Sequence, residues 1–118
     1  MAKTVENKST NRSVNMSVKD LINAKTSSVQ LKSAPERFTC RAMAITSDLD
    51  KETGELREVA YCVSDNGTVY GTISATAIAS IDAIITAVES EEISLPCDLG
   101  VQLRKSNSNR EFITLSIF

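Results

Sequence analysis

The sequence predicts a mainly β protein: a small five-stranded barrel with one helix set between the third and fourth strands. Three observations predict it. Residues 37–73 alternate apolar and polar side chains in runs of strand length, Asn66-Gly67 marks a tight hairpin, and near residue 76 the period changes to the three-and-four spacing of a helix.

The chain has 118 residues, 42% of them hydrophobic, which is enough for one modest core and too little for two. The expected division is a flexible basic N-terminal arm over residues 1–36 and a barrel domain over residues 37–118. The first fifteen or so residues show no hydrophobic periodicity. In SVKDLINAK, Ser17 can cap a short helix near residues 17–24, with Asp20 at its positive end and Val18, Leu21 and Ile22 as its apolar face. Pro35 then punctuates the chain before the first strand.

In ERFTCRAMAIT, Phe38, Cys40, Ala42 and Ala44 alternate with Arg37, Thr39, Arg41 and Met43. This predicts a strand with one small apolar face and one face carrying two arginines. SDLDKETGE reads as a charged loop containing Gly54, so the chain returns through LREVAYCVS. Asn66-Gly67 tolerates the positive φ that a two-residue turn needs at both centres, which makes TVYGTIS the next strand of a hairpin.

Ile78, Ile81, Ile85 and Val88, with Ala77 and Ile84 beside them, form one stripe of an amphipathic helix near residues 76–88, capped by Ser74 or Thr76. ISLPCDLGVQLRK alternates again, and its Pro96 marks an edge or a bulge. After the polar loop SNSNR comes EFITLSIF, with Ile113, Leu115 and Ile117 inward and Phe112, Thr114 and Ser116 outward. The order β-β-β-α-β-β is that of an OB-like Greek-key barrel. A two-layer sheet crossed by one helix has the same order.

Composition narrows the function. Residues 1–37 carry seven cations and three anions, whereas the remainder carries six cations and twelve anions. A basic arm on an acidic body suits nucleic acid or an acidic partner surface. There is no histidine, and Cys40, Cys62 and Cys97 lie far apart in strand-like runs, so they read as buried reduced thiols and no metal or other cofactor is expected. Without a base of near-neutral pKa, a phosphate-gripping glycine loop or a nucleophile motif, the chain does not read as an enzyme. No apolar run is long enough to span a membrane or to serve as a secretory signal, which predicts a cytoplasmic protein.

With Asn66-Gly67 as a two-residue loop, Val63 faces Tyr70 and Tyr61 faces Thr72. Tyr61 and Tyr70 then become diagonal neighbours on one face with Arg57, Val59 and Val63, while Ala60, Cys62, Val69, Gly71 and Ile73 line the inside. Two rings side by side can staple a hairpin or offer a stacking platform for bases. Arg37 and Arg41 border that face, and Phe112 supplies a third ring. The nucleic-acid-binding set is therefore Arg37, Arg41, Arg57, Tyr61, Tyr70, Arg104, Lys105, Arg110 and Phe112.

The element order over residues 37–118, with DNGTVYGTIS leading into a short Ile-rich helix, resembles the small single-stranded DNA-binding proteins encoded by bacteriophages. The likeness covers about two thirds of the chain. It implies an OB-fold and sequence-tolerant binding of single-stranded DNA, with RNA left open. It also implies a role in phage replication or recombination beside the proteins of those processes, a homodimer or higher assembly, and a bacterial host cytoplasm. The acidic body keeps a second reading open, a protein-binding module such as a phage-encoded inhibitor or assembly factor.

Overall fold

The computed structural model describes residues 12–49, 52–105, 107–108 and 110–117. The described elements are β1 (Arg12–Val14), α1 (Val18–Ser27), β2 (Val29–Gln30), a 3-10 turn (Leu31–Ser33), β3 (Arg37–Leu49), β4 (Leu56–Ser64), β5 (Val69–Thr72), α2 (Ala75–Glu89), β6 (Cys97–Lys105) and β7 (Glu111–Ile117). All the strands share one curled, half-barrel sheet in the order β2-β5-β4-β3-β6-β7, with β1 also on β3. The five expected strands are joined by two from the segment before Arg37, and among the described residues the pairings form an open path rather than a closed ring. Residues 12–33 are laid on the sheet, while residues 1–11 of the expected arm lie outside the described residues. No described helix is long and apolar enough to cross a membrane.

β3 is the spine of the sheet. One edge pairs with β4 along most of its length, and the other is shared, with β6 on residues 37–40 and β1 on residues 43–45. Between these partners the register against β4 slips: Cys40 faces Ser64 and Ala42 faces Val63, leaving Arg41 as the extra residue of a bulge. The slip corrects the expected alternation of this strand. Phe38 and Cys40 point inward as expected, but past the bulge Met43 and Ile45 take the inside, and Ala42 and Ala44 turn to the outer face.

The hairpin register is also corrected. Ser64 N–H donates to Thr68 C=O at 2.8 Å and Gly67 N–H to Ser64 C=O at 3.0 Å, so the loop has three residues, Asp65-Asn66-Gly67, with Gly67 alone at positive φ, +94°. The additional loop residue shifts every pair by one. Val63 faces Val69, Cys62 faces Tyr70 and Tyr61 faces Gly71. Tyr61 and Tyr70 therefore lie on opposite faces, because side chains alternate along each strand.

The inner face holds the main core: Cys40, Met43, Ile45, Ala60, Cys62 and Leu99 beneath Ile81, Ile84 and Ile85 of α2. The isoleucine stripe of that helix is what enters the core, and Ser74 caps it. All three cysteines are free thiols, Cys97 half-buried and the others fully buried. α2 ends at Glu89 with no cation in its last turn, and Glu91 and Glu92 follow just past its cap, an unfavourable arrangement for the helix dipole. Arg12 of β1 compensates by bonding Asp82, Thr86 and Glu89 along one side of the helix. β6 starts at Cys97, just past Pro96, whose peptide bond to Leu95 is cis.

Candidate nucleic-acid interface

The outer face of the sheet has a covered half and an open half. Over β3, β4 and β5 it is covered: α1 and the residue before its cap, Met16, lie on Ala42, Tyr61, Val63 and Val69. Ser17 and Asp20 form a reciprocal capping box that starts this helix. Its buried residues are Asp20 and Ala24, whereas of the expected apolar face Val18 is 74% and Ile22 57% exposed and only Leu21 is half-buried. An ion pair fixes the helix instead. Arg41, pushed outward by the bulge, donates from both terminal nitrogens to the two carboxylate oxygens of Asp20, each at 3.0 Å. These bonds, helped by Ser17, hold the Asp20 carboxyl below its usual range against the opposing effect of burial.

Beneath α1, Tyr61 is only 5% exposed. Its hydroxyl donates to Asp48 at 3.4 Å, and the same carboxylate accepts from Lys25 of α1 at 2.9 Å. Burial, with the Asp48 charge added, raises the tyrosine pKa. Tyr70, on the inner face, is half-buried against Phe38, the ring centroids 4.9 Å apart. The two tyrosines do not form one platform.

The open half runs over the start of β3, β6 and β7. Arg37 faces Gly100, Arg104 faces Phe112, Gln102 faces Thr114, and Gly100 also faces Ser116. Alternation places Arg37, Gln102, Arg104, Phe112, Thr114 and Ser116 on one outer surface. The arginines, Gln102 and Ser116 are exposed, and Phe112 and Thr114 are half-exposed. Arg37 donates to Asp98 at 3.0 Å, and Thr39 donates to the same carboxylate at 2.8 Å. These two contacts, Thr39 first, lower the Asp98 pKa. Arg104 donates to Gln102 at 2.7 Å. A groove of about 800 Å³ beside this ribbon is lined by Lys32, Glu36, Arg37, Gln102, Arg104 and Ser116 together with the apolar Ala34, Val101, Leu103 and Ile113.

The structure therefore places Arg37, Arg104 and Phe112 on one outer surface with Arg110 near Phe112, and leaves Arg41, Arg57, Tyr61, Tyr70 and Lys105 apart from them. Lys105 faces Glu111 on the opposite side of the ribbon. Arg110 stands beside Phe112 and the start of α2. Arg57 is at the far end of the β3–β4 hairpin, across from Asp48. Lys32 was not among the expected site residues. It reaches the groove because the neighbouring Leu31, 1% exposed, is anchored against Ala77 and Ile113, and nothing in its local sequence signals this.

A half-exposed aromatic ring flanked by arginines and small polar side chains fits the phosphates and bases of a single strand. A family model of Phi29-type phage single-stranded DNA-binding proteins matches residues 2–118. The chain belongs to that family. Its partner is thus single-stranded DNA, in agreement with the expected resemblance. Among curated proteins and among solved structures, nothing matches the chain. Among the described residues no group of three or more His, Cys, Asp or Glu could hold a metal ion.

Proposed function

We propose that this phage single-stranded DNA-binding protein takes its ligand, without regard to sequence, on the open outer face of β3, β6 and β7. The observation that carries the reading is the cross-strand pair of Arg104 and Phe112. Directly opposed side chains on one sheet face stand about 5 Å apart at Cβ, so one nucleotide can place its phosphate on the guanidinium and its base on the ring. Arg37 offers a second phosphate contact, and Gln102, Thr114 and Ser116 offer hydrogen bonds to sugar and base edges. Lys32, Lys105 and Arg110 add positive charge around the ribbon, away from the acids at the end of α2.

On this reading the half barrel serves as an OB-like scaffold whose task is binding without catalysis. It coats strands exposed during phage replication or recombination, as an assembly of copies along the DNA. The test is titration of a fluorescent oligothymidylate at several salt concentrations. R104A should reduce the slope of log affinity against log salt by roughly 0.7, the share of one phosphate contact on a single strand. F112A should lose about 1–3 kcal/mol of affinity with little change of slope, because stacking releases few ions. Wild-type affinity and slope in both variants would refute the site.

A further inference from the structure

The open half ends where α1 begins, and what α1 engages has the same chemistry as what the open half displays: an arginine, Arg41, tied to Asp20 while its side chain stays 38% exposed, and an aromatic ring, Tyr61, which the helix covers. Both residues belong to strands of the same sheet as Arg37, whose guanidinium also contacts a carboxylate, Asp98, through one terminal nitrogen. We propose that the single-stranded DNA surface continues beneath α1, and that a strand bound on the open half displaces this helix by exchanging a phosphate for the Asp20 carboxylate on Arg41. The proposal rests on the outer-face reading given above and extends it with a second binding stretch.

Four observations carry it. The Arg41–Asp20 contact is two-pronged, the geometry a guanidinium also uses for two oxygens of a phosphate, so the incoming group reproduces the bonds it breaks. Apart from that ion pair the helix has few buried apolar contacts: it buries Ala24, half-buries Leu21, and leaves Val18 and Ile22 to solvent. Its other charged link, Lys25 to Asp48, joins two partly exposed side chains, a kind of pair that contributes little. Finally, Tyr61 is already on the outer side of its strand, its ring against Gly71 and Ala24 of α1 packed with it, so uncovering it needs no rearrangement of the strand. An element with few buried apolar contacts opens at low cost, and a ligand that binds only the open form draws the population toward it.

Covering the second stretch lowers apparent affinity by the fraction of molecules in which α1 is open. Loosening the helix should therefore tighten binding. D20N keeps an acceptor for the Ser17 cap and removes the charge from Arg41; it should bind oligothymidylate about three- to tenfold more tightly. D65N, which removes a charge from the exposed β4–β5 loop, is the control for net charge and should change affinity less than twofold.

Hydrogen exchange with and without oligothymidylate locates the effect. The expected result is faster exchange of the α1 amides, residues 18–27, together with slower exchange in residues 98–104 and 111–116. Protection of the ribbon with α1 unchanged or slowed would overturn the displacement and leave the open-face site standing. Faster exchange in α1 without ribbon protection would support the displacement and overturn the ribbon site. Affinity of D20N equal to or below wild type, with α1 exchange unchanged on binding, would sink the proposal.

Discussion

Tyr61 and Gly71 face each other across β4 and β5, and the ring lies on the glycine. A Cβ added at Gly71 would stand 3.1 Å from Tyr61 Cε1, 3.2 Å from Cδ1 and 3.4 Å from Ser28 Oγ. Gly71→Ala must then move a buried ring that Ala42, Val63, Val69 and Ala24 surround. The expected cost is about 1–3 kcal/mol of stability in urea denaturation. A neutral result would mean that the ring is free to leave this position.

Gly67 tests the three-residue loop. Its φ of +94° is a conformation that residues with a Cβ rarely adopt, and open space surrounds it, so any penalty comes from the backbone and not from a clash. Gly67→Ala should lose about 1–2 kcal/mol. Asn66→Ala should also destabilise, since its side-chain oxygen accepts from Thr68 N–H at 2.9 Å and from the Ser64 hydroxyl. Thermal unfolding of both variants is the measurement.

Ile81 and Ile85 carry α2 into the main core, both without exposed surface. Truncating either to alanine should cost about 2–5 kcal/mol, the range for leaving a cavity in a closed core. Chemical denaturation that finds both near zero would remove the helix from the core.

The Asp20 pair sets a pH dependence with a definite sign. The carboxyl is held below its unfolded value, chiefly by Arg41, so its contribution is complete above the unfolded carboxylate pKa of about 3.9 and is lost as pH falls through the lower folded value. Relative to the intrinsic exchange rate at each pH, the protection of the α1 amides should fall as the solution is acidified through that range. D20N should remove that part of the profile and leave the rest, a comparison that exchange measured from about pH 6 to about pH 3 can make.

The elements legible in the sequence were those whose partner is set by their own period. The isoleucine spacing of α2 and the alternation of Phe112, Thr114 and Ser116 against Ile113 and Leu115 both correspond to faces in the structure. Two single-residue events were not legible. The bulge at Arg41 and the third loop residue before Gly67 each reverse the phase of all that follows, and neither alters composition or local propensity. They are why Met43 moved inward and why the two tyrosines parted. The docking of α1 left no readable pattern either, because the helix is held through Asp20 while Val18 and Ile22, its most conspicuous residues, stay outside.

The pairing of β2 with β5 reverses the order of making and the order of finishing. Val29 and Gln30 lie beside Tyr70 and Gly71, and Arg12 to Val14 beside Met43 to Ile45. These earlier-made segments have no partner until much later residues exist. At a synthesis rate of about 5–20 residues per second, residues 29 and 30 wait roughly two to eight seconds for theirs. The nascent chain therefore passes through a stage in which β3 and β4 can already pair while the basic segment ahead of them is still uncommitted.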